Sequence, residues 1–457
     1  MKRSFAAKNT EKILSGNLTD AILSLAIPLV ANSFIQTMYN LTDTYWLGKL
    51  GTNELASISL ITPLQNIIIN FGMGLTTAGS ILLAGYIGAR DKKGASDMAN
   101  QLFVFALLLS LVCGALGIIF APNIVDWLKA DGEVRNGAIT YIRVVLCDLP
   151  FLMSINTFAA ISQSQGNTVA PMKLNMLGVL LNIVLDPLLM IVLKMGILGA
   201  ALATAAAKIP CAAIAVYIMR YKKEDIGINL KNFRFDKRKI ERILKIGLPT
   251  AIGGSTMQFG FLLMTKNVYV YGPSAMAAYG IGNKLNAIIT LPSSAMGNAC
   301  TTIVSQNIGA KQVDRAEKAY KRARIMCVIF LAAAGFIFSR HFVAEAVVRV
   351  FSKDENVIPM AIDFLSIMAF WCFTNGVYDT TKAIFNGSAN TVVTMAVDVV
   401  RLWGFRFATL FVCSRFLGMQ EKSVWYSVVV SNALSAAILY ILYKFNVWKR
   451  KIKRDLL

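Results

Sequence analysis

Apolar runs long enough to cross a bilayer recur twelve times along this chain, near residues 18–46, 54–86, 98–121, 137–163, 172–194, 197–220, 243–271, 275–308, 320–342, 357–385, 392–416 and 421–446. About 20 residues rising 1.5 Å each cross about 30 Å of hydrocarbon, and a helix satisfies its own backbone groups there. An all-α integral membrane protein with twelve transmembrane helices is therefore expected. Composition closes off the soluble alternative, because 56% of the 457 residues are hydrophobic, 16% are charged and mean hydropathy is +0.57.

A net charge of +21 would suit a nucleic-acid binder, but Lys and Arg gather in alternate loops. With the N-terminus placed inside, inner segments hold 30 basic residues, outer loops 9 and the helices the remaining 7 of 46. That bias predicts a multi-pass plasma-membrane protein with both termini cytoplasmic, no nucleic-acid partner and basic loops against lipid headgroups. The polar opening MKRSFAAKNTEKILSGN has no apolar core before a small-residue cleavage site, so no cleaved signal peptide is expected.

All seven cysteines fall in predicted helices without CxxC spacing and read as packing residues, with no metal site or cofactor expected. His341, the single histidine, is expected at the outer end of helix nine as a solvated interface residue.

Laid on itself with an offset of 221, the chain pairs Pro28 with Pro249, Thr44 with Thr265, Gly51 with Gly272, Ala56 with Ala277 and Leu64 with Leu285. IGAR (87–90) then meets IGAK (308–311), and Gly166 of SQGNT meets Gly387 of FNGSA. Six helices per half make both halves enter from one side, a parallel repeat. The expected organisation is a lobe over 1–220, a cytoplasmic linker over 221–245 and a second lobe over 246–457 with a basic tail. The second half of the linker suits a short basic amphipathic helix on the inner leaflet, or else a solvated connection. Pro63, Pro150, Pro187, Pro210 and Pro292 permit kinks within the helices.

Asp43 is a carboxylate inside the first apolar run, in PLVANSFIQTMYNLTDTYWLG, without an evident local partner. Such residues face a cavity, an ion path or a proton relay unless they lie hydrated at the interface. Asn182 and Asp186 share one face of helix five. Thr204 lies at matching depth on helix six, about 10 Å below the outer surface, with Asp43 at a similar level. These oxygens suit a proton or sodium site, where ionising both carboxylates is costly, or else a buried network that only joins helices. The repeat places Met264 opposite Asp43, and Asn182 and Asp186 near Trp403 and Phe407, so the fold does not require the carboxylates as scaffold.

NLTDTYWLGKLG, IGARDKKGA, SQGNTVAP and NIVLDPLL together make the chain resemble the multidrug and toxic compound extrusion (MATE) transporters over essentially its whole length. The resemblance implies two six-helix bundles around a cavity opening alternately to either side, and export driven by an inward proton or sodium gradient. Similarity to the DinF-like branch implies coupling at Asp43, Asn182, Asp186 and Thr204, with sodium possible at the first three. The NorM-like branch has further acids in helices seven and ten. Helix seven here offers Lys266 instead, and Asp379 stands about one turn from the expected position near Asn375.

Asp379 and Lys382 of helix ten face Asp398 and Arg401 of helix eleven at matched depth, which reads as mutual neutralisation or as substrate contact. Lys266 and Lys284 lack evident partners and keep open a flippase for lipid-linked oligosaccharides. A non-transporting receptor is the reading from another class. No GxxxxGK[ST] segment or nucleophile–base spacing points to ATP use or to an enzyme. Nineteen methionines and fourteen tyrosines suit an adaptable cavity for small organic, cationic substrates, and a monomer is expected.

Overall fold

A computed structural model describes residues 5–47, 52–221, 226–231 and 233–456. Gly48–Gly51 of the first-helix pattern, and residues 222–225 and Asn232 of the linker, lie outside the described residues. The first six spans are Leu18–Leu47, Thr52–Gly88, Lys92–Trp127, the pair Gly132–Cys147 and Leu149–Ser164, Val169–Pro187 continued by Leu188–Val192, and Gly196–Tyr221. The next six are Lys237–Tyr269, Pro273–Gly309, Val313–Phe338, the pair Val357–Phe370 and Phe373–Gly387, Thr391–Val399 continued by Val400–Arg406 and Phe407–Arg415, and Lys422–Lys444.

Among the described residues, seven helices are long and apolar enough to cross a membrane alone, and ten when three bent pairs each count as one span. The other two places in the twelve fall to the seventh span, which opens with basic residues, and to the eleventh, which is interrupted and carries Asp398, Arg401 and Arg406. The fourth and tenth spans bend by 44° and 48° at Asp148 and at Trp371–Cys372. Pro150, two residues past the first of these breaks, is tolerated because the first turn of a helix has free N–H groups anyway. Past the ninth span, the short helix His341–Phe351 turns away by 78° and presents His341 largely to solvent.

Contacts divide the chain into two units, the first comprising residues 1–15 and 31–251 and the second 16–30 and 252–457. In the first unit Ile61, Ala138, Ile142, Val145, Met190 and Ala201 form a buried core. The second is centred on Tyr279, Phe364 and Trp425, whose rings meet at 4.7–5.8 Å, stacked or edge to face.

Backbone detail carries the duplication further than the identities do. At the end of the second span Arg90 has φ 59°, its amide reaches the Ile87 carbonyl and the Asp91 amide reaches Tyr86. At the end of the eighth, 221 residues on, Lys311 has φ 60°, its amide reaches Ile308 and Gln312 reaches Asn307. After the fourth and tenth spans the left-handed residues are Gly166 and Ala389, which shifts the local register by two from the Gly166–Gly387 pairing.

The linker corrects one expectation. Its basic second half is no separate amphipathic helix, because Lys237 onward is the first turn of a continuous helix running to Tyr269. The stretch before it is fastened to the first unit: Asn100 binds both backbone groups of Asn229, and Ser96 donates to the Gly227 carbonyl. The tail after the twelfth span is pinned in a comparable way, with Asn390 donating to the Trp448 carbonyl and Lys451 to that of Ala389.

Candidate functional site

In the first unit, Pro187 follows Asp186 directly and supplies no backbone N–H. The next turn widens to a π-helix over Leu188–Val192. Such turns often occur at functional sites. Asp186 is fully buried and Asn182, one turn earlier, nearly so; Asn182 Nδ2 donates to Asp186 Oδ1 at 3.1 Å. The remaining oxygens, Asn182 Oδ1 and Asp186 Oδ2, are buried without a hydrogen bond to any described residue. Such orphaned acceptors are costly, and their chemistry fits a proton or a hard monovalent cation.

Asp43 lies within electrostatic reach of Asp186. Thr204 donates to the Ala200 carbonyl at 3.2 Å and lies close to the Tyr39 hydroxyl. The four candidates thus draw together with two residues that the sequence reading missed, Tyr39 and Tyr141, both within reach of the two acids. Tyr39 could have been found, since it stands one turn before Asp43 on the same helical face. Tyr141 had no such signal. Also unforeseen is the ion pair of Lys208 with Asp148, 2.6 Å, at the break in the fourth span.

The second unit holds a different network. Lys382 pairs with Asp398 at 2.7 Å, and Tyr378 donates to the same carboxylate. Asp379 does not meet Arg401 in a hydrogen bond; its Oδ2 accepts from Ser293 at 2.6 Å. Arg401 lies over the Tyr378 ring at 4.7 Å and donates to Asn432 Oδ1 through Nε and Nη2, at 2.9 and 2.5 Å. Neutralisation across helices ten and eleven is therefore only half formed. The π-helix over Val400–Arg406 adds a residue to the turn and re-aims Arg401 toward the twelfth span. Asn375 accepts from Asn432 Nδ2 at 3.2 Å, and the buried Arg406, unread in the sequence, donates to Ser431 and Asn432. Lys266, without an ion pair among the described residues, lines an open pocket of about 410 Å³ with Asn267, Trp403 and Phe407.

Fold and site define a helical, multi-span membrane protein built by duplication, with ionisable groups inside its spans. The family MatE matches residues 28–188 and again 249–412, starting 221 residues apart, and the chain belongs to that family of transporters. It is 22% identical over 433 residues to the probable multidrug resistance protein YoeA of Bacillus subtilis, covering 93% of each. It is also 22% identical to the multidrug export protein MepA of Staphylococcus haemolyticus, again covering 93% of each. A crystal structure of MATE in complex with MaD3S superposes with a TM-score of 0.92 at 24% identity, over 99% of this chain and 100% of that one.

Proposed function

We propose that this protein exports small organic compounds across the plasma membrane by alternating access, drawing on an inward proton or sodium gradient, with both termini in the cytoplasm. The observation that supports the coupling is the buried Asn182–Asp186 pair with its two orphaned oxygens, within electrostatic reach of the half-buried Asp43. A site with spare acceptors takes up a proton or cation at little structural cost, and moving that charge down its gradient can power a conformational cycle. Relatives named as multidrug resistance or export proteins support efflux of drug-like molecules.

Purified protein in liposomes, given a pH gradient or a sodium gradient separately, tests the reading. Uphill uptake of tetraphenylphosphonium under one of the two is expected. Uptake that follows neither gradient refutes coupled export.

A further inference from the structure

Four ionisable side chains of the second unit lie together, Lys382 and Arg401 with Asp379 and Asp398, and a fifth, Arg406, adjoins Arg401. Fully ionised, they leave one positive charge in excess. Lys382 occupies Asp398, and Asp379 spends one oxygen on Ser293. The two guanidiniums converge on one neutral acceptor, Asn432 Oδ1, which Arg401 reaches at 2.5 Å and Arg406 at 3.2 Å, and Arg406 adds only the neutral Ser431 hydroxyl at 3.1 Å. Asn432 is held in that orientation because its Nδ2 donates to Asn375.

Arg406 is 7% exposed, and among the described residues its only hydrogen-bond partners are Ser431 and Asn432. Arg401 is partly exposed, and its Nη1 makes no hydrogen bond to a described residue. A guanidinium at membrane depth is tolerated when a counter-charge meets it, and its planar fork matches a carboxylate.

Duplication sharpens the point. In the local register set by Gly166 and Ala389, Asn182 and Asp186 correspond to positions 405 and 409, which bracket Arg406. Where the first unit places a buried acid and amide, the second places a buried arginine. The matched residues themselves, Phe405 and Thr409, are uncharged, and the buried arginine stands one residue past the first of them.

We infer that Arg401, with Arg406 behind it, is an acceptor for a carboxylate or similar anionic group of the transported molecule, so that zwitterions are preferred over cations of the same frame. The inference rests on the exporter reading for its biological meaning but not for its measurement. Rhodamine 110, which carries a free carboxylate, and rhodamine 123, its methyl ester, make a matched pair differing only in that charge. Fluorescence polarisation with the purified full-length protein should show rhodamine 110 binding about tenfold more tightly, the value of one charge-assisted hydrogen bond.

Arg401→Gln, whose amide still reaches Asn432, should bring rhodamine 110 down to the level of its ester while moving the ester less than about twofold. If Arg401→Gln melts well below the wild type, Arg401→Lys serves instead, with partial loss of the preference expected. Equal binding of both dyes to the wild type, binding of neither, or an equal loss of both in the variant overturns the inference. Uphill tetraphenylphosphonium uptake with no dye preference would leave the exporter and remove the anion site. Dye preference without uphill uptake would do the reverse.

Discussion

Gln165 and Ile226 hydrogen-bond to each other twice, the Ile226 amide donating to Oε1 at 2.9 Å and Nε2 donating to the Ile226 carbonyl at 3.3 Å. Asn100 holds Asn229 in the same manner, at 2.7 and 3.1 Å, and Gln101 joins the Arg234 carbonyl to the Asp236 amide. Three side-chain amides thus take the place of a neighbouring strand for a connection that has none.

Removing one clamp leaves backbone groups without partners, so Gln165→Ala and Asn100→Ala should each cost about 1–3 kcal/mol. Both variants are expected to melt earlier than wild type in detergent, and trypsin should cut after Lys231 faster. Unchanged melting and unchanged cleavage in the double variant would show that the clamps hold nothing.

None of those amides stood out in the chain, because a polar residue near a helix end is ordinary and its partner lies more than sixty residues away. The twelve spans and the duplication were legible, since hydropathy and the IGAR/IGAK turns are local signals. Asp43, Asn182 and Asp186 were readable because charge and amide stand out inside apolar runs, and Thr204 because it lies at matching depth on the next helix. Arg406 escaped notice because it has no acid at matched depth, and its partners Ser431 and Asn432 are neutral residues of the twelfth span. The Asp379–Ser293 bond was equally silent, as serine is unremarkable in a membrane helix.

The pair of Asp148 with Lys208 lends itself to a stability test, since their side chains are only 1% and 22% exposed. Asp148→Asn alone strands a partly buried ammonium and should cost about 1–3 kcal/mol, whereas adding Lys208→Met should restore most of it. Melting temperatures of the single and double variants check this. A double variant worse than Asp148→Asn would mean that the two residues do not act as a pair.

Orientation follows from the 30 to 9 bias in basic residues. Single cysteines at Asn9 and at Asn232, the latter outside the described residues, should resist impermeant maleimide added to intact cells and react after lysis. Labelling of either before lysis would reverse the proposed topology.

Asp43 and Asp186 are expected to function as one coupled site. When water reaches the cluster, both charges are tolerated. When the helices close and water leaves, two like charges in mutual reach favour neutralising one with a proton or sodium ion. Each elementary charge moved inward through 100 mV supplies about 2.3 kcal/mol, roughly fiftyfold in a concentration ratio, so one ion per cycle can sustain export. Asp43→Asn and Asp186→Asn should therefore each abolish gradient-driven flux while the protein still folds, and the double variant should be no worse than either. Asp379→Asn, which keeps an acceptor for Ser293 but removes the negative charge facing Lys382 and Arg401, should lower stability more than it alters coupling. Flux in proteoliposomes, read beside melting temperature, separates these outcomes: wild-type uphill transport in both first-unit variants would end the coupling proposal, and early melting of both would return the cluster to a purely structural role.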